Sequence, residues 1–397
     1  MNLAAVRFRD FRIYLIGNVF ALNALWMQRL TIGWIAWELT NSASFVGLVA
    51  FINFAPTIFA GPFFGVLVDR IRLRRAAIIV QLVLFLLAIV LVFSFSAGVL
   101  GQALLVVVSG LLGLAMAAHN PIRMSLAPRL VDRSAVASVI SLTAINFNLA
   151  RLSGPALAGW LITNWGVGTS LTIQAVCYLP FILALSLVTP RERTRTVTQA
   201  APFLQDMAVG IRHVMQTPLI RQAMLITGVG AFISRAVLEI LPAIADGVFS
   251  KGATGLGLLT AAAGSGALIA GISKAIMPGQ TAGRFPGLAL VAAVAGTALV
   301  PVIGLSGIWP LTLLFVACLG FAATMTGVSM QTAIQVDLDD DLRGRVMSLW
   351  ILAGIGSAAS GAVFLGTLTD LIGLPLAFSC VGGLGAVLLA AYVRRIW

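Results

Sequence analysis

Long apolar runs, separated by short polar connections, follow one another along nearly the whole chain. They fall at about 12–39, 46–67, 76–97, 100–127, 135–163 and 168–189. After a polar interval six more follow, at about 221–247, 254–276, 286–305, 308–335, 345–369 and 374–393. Each meets or exceeds the roughly 20 residues that a helix needs to cross a hydrocarbon core. The runs do not alternate apolar with polar, and they are far longer than the ~10-residue strands of a membrane barrel. A helix of about 28 residues rises about 42 Å, so the longest spans must tilt or project from the bilayer.

The interval at 190–220 differs in kind. Arg191, Glu192, Arg193 and Arg195 open it. Phe203, Met207, Ile211, Val214 and Met215 then recur at helical spacing among Gln205, Asp206, Arg212 and His213. That pattern predicts an amphipathic helix on the membrane surface. The expected organisation is a six-helix bundle over 1–189, a cytoplasmic linker over 190–220, and a second six-helix bundle over 221–397.

Composition agrees with this reading: 60% of the 397 residues are hydrophobic and 10% are charged. Such a chain is not a soluble enzyme, a disordered segment or a disulfide scaffold. Cys177, Cys318 and Cys380 lie far apart in apolar stretches and offer no disulfide framework or metal-ligand spacing. The net charge of +12 changes meaning once the charges are placed. Arg7, Arg9 and Arg12 precede the first span, and Arg70, Arg72, Arg74 and Arg75 follow the second. Arg129 and Arg133 follow the fourth, and Arg191, Arg193, Arg195, Arg212 and Arg221 occupy the linker. Lys274 and Arg284 follow the eighth span, Arg343 and Arg345 the tenth, and Arg394 and Arg395 the last. The opposite connections carry one basic residue, Lys251. The positive-inside rule then puts both termini and the linker in the cytoplasm, with Trp165 and Trp309 at the outer interface. The location expected is the bacterial cytoplasmic (inner) membrane. The basic N-terminal tail reads as leading into a retained helix, not as a cleaved signal peptide. The surplus charge is an orientation label and implies no nucleic-acid partner.

An internal repeat supports two halves. Shifted by 207 positions, Val139, Ser141, Leu142, Ser153, Gly154, Gly159, Leu161 and Gly166 meet Val346, Ser348, Leu349, Ser360, Gly361, Gly366, Leu368 and Gly373. Glycines at matched spacing allow close helix approach in membrane bundles. Six spans in each half, starting on the same side, imply a parallel repeat about an axis along the membrane normal.

The stretch Gly65-Val-Leu-Val-Asp69-Arg70-Ile-Arg72-Leu-Arg74-Arg75 resembles the G-x-x-x-D-R loop signature of the major facilitator superfamily, with Arg72 where that superfamily commonly has glycine. Ala150-Arg151-Leu-Ser-Gly154-Pro155-Ala-Leu-Ala-Gly159 resembles the antiporter motif of drug exporters, Ala150 replacing its first glycine. Asn120-Pro121-Ile-Arg123 through Leu130-Val131-Asp132-Arg133 is similar to the enterobactin-exporter-like group, as is Asp341-Leu-Arg343-Gly344-Arg345-Val-Met-Ser348-Leu349. This resemblance implies an all-α membrane protein of 12 helices in two pseudo-symmetric six-helix bundles. It also implies a secondary active transporter: a proton-coupled exporter of drugs, siderophores or other amphipathic compounds, working by alternating access. An uptake carrier of the same fold for a small organic anion is the nearest alternative. In the resemblance Asp69 contacts the start of span 11. Gly65, Arg70, Arg74, Arg75, Asp341, Arg343 and Arg345 would join it in a cytoplasmic gate, and Arg151, Gly154, Pro155 and Gly159 would form the antiporter motif. Spans 1, 4, 7 and 10 would line the cavity, bringing Arg29, His119, Arg123, Arg235 and Glu239 within reach of substrate.

An ionisable group deep in a span is costly and marks a functional candidate. Glu239 is the one carboxylate clearly deep in a span, with Arg235 four residues earlier on the same helical face. Two readings stand: Glu239 exchanges a proton as its surroundings alternate, or the pair is a permanent ion pair. Arg29, Arg151 and Arg235 against Glu239 leave two surplus positive charges, which favours an anionic substrate. The favoured reading of Arg151 is a packing residue bonded to carbonyls, and of His119 a packed histidine, with a proton relay as its alternative. The acidic run Asp337, Asp339, Asp340 and Asp341 lacks the spacing and glycine turn of a calcium loop and reads as a solvated cap on span 11. Gly264-Ser-Gly266 reads as helix packing, not a phosphate cradle. No cofactor or metal is expected; the proton motive force supplies the energy, one chain works alone, and the partners are a small-molecule substrate and the bilayer. A membrane enzyme is not expected, because no nucleophile–base cluster is seen at a common depth, and neither is a receptor, which would normally add a soluble signalling domain.

Overall fold

The computed structural model describes residues 4–67, 71–191, 203–277, 284–338 and 340–396. Among these residues the chain is helical, with no strand. The helices are α1 (Arg9–Thr40), α2 (Ala43–Leu67), α3 (Leu73–Ser96), α4 (Gln102–Leu126) and α5 (Val136–Leu187). After the linker come α6 (Phe203–Gln216), α7 (Pro218–Gly230), a π-helical turn (Ala231–Arg235), the short α8 (Ala236–Glu239) and a second π-helical turn (Ala243–Val248). The chain continues through α9 (Gly252–Ile276), α10 (Gly287–Leu305), α11 (Trp309–Val336), α12 (Asp340–Ile372) and α13 (Leu374–Ile396). Among the described residues, nine helical stretches are long and apolar enough to cross a membrane. One of them is two expected spans in a single stretch: α5 turns at Gly166, whose φ is 82°. The expected span 12–39 is helical as α1, but its polar Asn18, Asn23, Gln28 and Arg29 dilute its hydropathy.

The expected span 221–247 is helical but not continuous. Pro242 supplies no amide and crowds the preceding turn, so the α-pattern fails between α8 and the second π-helical turn. Gly373, between α12 and α13, has φ 82° like Gly166, its partner in the sequence repeat. A side chain is strained at that dihedral, so glycine serves both matched turns.

The chain forms two compact units. The first comprises 1–41, 52–196 and 245–261; the second comprises 42–51, 197–244 and 262–397. Each therefore includes a short segment from the other half of the sequence. In the first unit α1 packs along α5, and α3 lies against α4 and α5. In the second, α10 lies against α11 and α13. The linker helix α6 is seated on this second unit, with Val214 in a core containing Ile220, Met330, Ile334 and Val346. Ile211 and Met215 of α6 remain exposed, as a surface amphipathic helix requires.

The repeat glycines make matched crossings. In the first unit, a Cβ on Gly159 would lie 2.6 Å from the Ala253 carbonyl oxygen. In the second, a Cβ on Gly366 would lie 2.4 Å from the Ala43 carbonyl oxygen. Beside each crossing an oxygen caps a helix start. Thr163 Oγ1 accepts from the Thr254 amide at 3.1 Å, near the start of α9. Asp370, its equivalent in the repeat, accepts from the Ala43 and Ser44 amides, both at 2.9 Å, and from Ser42 Oγ at 2.7 Å, at the start of α2. A carboxylate suits those orphan amides and the positive end of the helix dipole. Asp370→Ala is expected to lower stability by about 1–2 kcal/mol, the usual loss of a good N-cap, and Asp370→Asn by less. Unfolding midpoints in detergent check this, and equal midpoints for Asp370→Ala and wild type would contradict it.

Candidate functional site

Three arginines and three aromatic rings converge inside the first unit. Trp26 and Arg29 are neighbours on one face of α1, and Phe147 and Arg151 are neighbours on α5. Arg29 lies over Trp26 with its guanidinium carbon 5.5 Å from the ring centre, and over Phe54 of α2 at 4.7 Å. Arg151 lies over the same indole at 5.8 Å, and Arg123 of α4 over Phe147 at 5.6 Å. Trp26 and Phe147 meet edge to face, with ring centres 5.7 Å apart. Trp26 thus joins two guanidiniums and a second ring.

The helix crossing that brings these groups together depends on Gly154. A Cβ there would lie 2.7 Å from Trp26 Cβ and 3.1 Å from the Asn23 carbonyl oxygen. Ser153 Oγ beside it donates to Asn23 Oδ1 at 2.7 Å, tying α5 to α1 one turn before Trp26. The helices α2, α4 and α5 contain no Asp or Glu, so three of the four walls bring no negative charge. Trp26 Nε1 and Arg123 Nε are buried without a hydrogen-bond partner. His119 is buried on α4, one turn before Arg123. Guanidiniums over rings, with the Trp26 and Arg123 N–H groups left to donate, suit a ligand that is aromatic and anionic.

Arg235 and Glu239 belong to the second unit. Arg235 ends the first π-helical turn and borders a cavity of about 240 Å³; Glu239 ends α8 and does not line that cavity. Inserted π-helical turns occur frequently at functional sites.

The expected gating residues are dispersed. Gly65 falls within α2, while Asp69 and Arg70 lie outside the described residues. Arg74 donates from Nε to the Leu185 carbonyl at 3.0 Å and from its terminal nitrogen to the Ser186 carbonyl, so it caps the end of α5. Arg75 is exposed on α3. Pro155 and Gly159 are at the crossing with α9, where a Cβ on Gly257 would lie 3.0 Å from the Pro155 carbonyl oxygen. Arg345 packs beside Gly210 of α6. The side chains of Asp341 and Arg343 lie outside the described residues. Among the described residues no group of three His, Cys, Asp or Glu side chains could hold a metal ion.

Sequence reasoning singled out the arginines but missed the rings. Trp26 three residues before Arg29, and Phe147 four before Arg151, carried a signal at helical spacing. Phe54 is one of several phenylalanines on α2, and only its position in the fold distinguishes it.

A family model described as a transmembrane secretion effector matches residues 1–396. The enterobactin exporter of Shigella boydii serotype 18 is 26% identical over 276 residues, covering 68% of this chain and 63% of that protein. The enterobactin exporter of Salmonella paratyphi A is 30% identical over 267 residues, covering 66% of this chain and 62% of that protein. The match thus spans less than two thirds of these relatives' own length. The crystal structure of the nucleoside transporter NupG is similar with a TM-score of 0.75 at 10% identity, covering 98% of this chain and 99% of that one. A likeness at that identity is one of fold.

Proposed function

This chain belongs to the transmembrane secretion effector family of the major facilitator superfamily, and on that premise we propose that it is a proton-driven exporter of amphipathic, anionic small molecules. The observation that carries this reading is the cluster of Arg29, Arg123 and Arg151 around Trp26, Phe54 and Phe147. A desolvated cation–π contact is worth up to about 2 kcal/mol, so the rings hold the guanidiniums in place. Trp26 Nε1 and Arg123 Nε then remain to donate to an incoming acceptor. A ligand with both rings and negative charge gains from both components. Its relatives in enteric bacteria are named for enterobactin export, and siderophores of that kind are the first cargo to test.

The protein works in the bacterial inner membrane with both termini in the cytoplasm, as a single chain without a cofactor. The positive-inside distribution supports that orientation. Each proton entering down the membrane potential supplies about 2.3 kcal/mol per 100 mV, and we assign Glu239, the deep carboxylate of its span, to carry it.

Proteoliposomes with an imposed pH gradient test this. Wild-type protein is expected to move cargo in exchange for protons, and Glu239→Gln to transport at a rate that no longer follows the gradient. Coupling retained by Glu239→Gln would remove that residue from the mechanism. Absence of flux under every gradient would overturn the exporter reading, and flux in the same direction as protons would favour an uptake carrier.

A further inference from the structure

The cavity of about 240 Å³ lies wholly within the second unit, between α7 with its π-helical turn, α10, α11 and α12. Thr227, Ser234, Arg235 and Trp350 line it, and small or apolar residues of α10, α11 and α12 make up most of the remaining wall. Thr227 Oγ1, Ser234 Oγ and Trp350 Nε1 are buried without a hydrogen-bond partner. Thr227 is 8% exposed and Ser234 3% exposed, so neither loss is made good by open solvent. Each such group costs about 1–3 kcal/mol when left unpaired. Three of them around one cavity, on three different turns of helix, offer hydrogen-bonding groups to an occupant.

The chemistry of the wall defines that occupant. The indole and guanidinium can only donate hydrogen bonds, and both hydroxyls can donate. No carboxylate lines the cavity. An occupant carrying acceptor oxygens therefore suits the Thr227, Ser234 and Trp350 donors. Its size is bounded as well: a cavity of about 150 Å³ holds benzene, and drug-sized ligands need roughly 300–1,000 Å³. One substituted ring fits, against the flat indole of Trp350. An acyl chain would satisfy the volume and leave the donors unpaired.

We propose that this cavity is a binding site for a single aromatic ring bearing acceptor oxygens, held by Thr227, Ser234 and Trp350, with Arg235 on the same wall. That the ring belongs to exported cargo rests on the exporter reading above; that the site binds such a ring does not. Gly327 offers a way to close the site, because a Cβ added there meets nothing within 4 Å. A leucine at this position of α11 would enter open space without moving backbone.

The test is equilibrium dialysis of radiolabelled salicylate against the full-length chain in lipid nanodiscs, with toluene and hexanoate as comparison probes. Salicylate is expected to bind saturably at one site per chain. Thr227→Val with Ser234→Ala should weaken it at least tenfold, and Gly327→Leu should abolish it with an unchanged unfolding midpoint. No saturable binding to wild type would overturn the proposal, as would binding that survives Gly327→Leu. Tighter binding of toluene or hexanoate, insensitive to the double variant, would also overturn it by showing an apolar or lipid-tail site. Cargo flux is measured separately on the same variants. Salicylate binding without flux of any cargo would remove the exporter reading and leave the site standing. Wild-type flux by Gly327→Leu would separate the site from the export path.

Discussion

Trp26→Ala is expected to reduce transport at limiting substrate by ten- to a hundredfold. Trp26 holds Arg29 and Arg151 over one indole and meets Phe147 edge to face. Two cation–π contacts at about 0.5–2 kcal/mol each and one aromatic pair at about 0.5–1.5 kcal/mol are removed together. At about 1.4 kcal/mol per factor of ten, these terms reach the stated range even if the arginines recover part of their interaction elsewhere. Trp26→Phe retains a ring and should keep an intermediate rate. The measurement is initial flux into proteoliposomes over a series of substrate concentrations, with unfolding midpoints as the control for folding. A wild-type rate in Trp26→Ala would show that the cluster is packing alone.

Gly361→Ala is expected to be among the most damaging small changes to stability, at about 3 kcal/mol or more. A Cβ on Gly361 would lie 2.0 Å from the Phe232 carbonyl oxygen and 2.8 Å from its carbonyl carbon. These atoms are backbone, inside the π-helical turn that places Arg235, and cannot rotate away. Overpacking that forces side chains and backbone to shift costs about 1–3 kcal/mol, occasionally more, and a contact this close to backbone falls at the upper end. Gly383→Ala is the control: its added Cβ meets nothing within 4 Å, so the substitution should be neutral or gain up to about 1 kcal/mol from helix propensity. Thermal unfolding in detergent compares the two, and equal midpoints for Gly361→Ala and wild type would refute the crossing.

The equivalence of Gly361 with Gly154 shows how far sequence reasoning reaches. Their shared position in the repeat is enough to mark both as sites of close helix approach. Gly154 meets α1 at Asn23 and Trp26, and Gly361 meets the corresponding stretch of the second half at Phe232. The repeat does not reveal what stands opposite each glycine, because identical glycines admit different neighbours. The same holds for Thr163 and Asp370, equivalent in the repeat and both capping a helix start, yet one neutral and the other acidic.

The deep charges are legible for a different reason. An arginine within an apolar run is visible because the bilayer makes it expensive. What neutralises or holds that charge is a matter of distance across helices, which a single chain read in order does not contain. Arg29, Arg123 and Arg151 come from three helices, and their gathering around shared rings is decided by the crossing at Gly154. Glu239 and Arg235 are neighbours along the chain, but the cavity takes in only the arginine.

Hydropathy read along the chain was enough to mark the membrane-spanning helices and their approximate limits, while charge and the repeat supplied expectations of orientation and of two halves. These follow from properties that accumulate locally: hydropathy over some twenty residues, and positive charge counted by connection. Which side chains share a space is a different kind of fact, and it came from the packed fold. Packing gathered the arginines and rings of one unit, broke the seventh span into π-helical turns, and left Thr227, Ser234 and Trp350 unpartnered around a common cavity. Such groupings depend on helix rotation and crossing, which are set by contacts between residues remote in sequence.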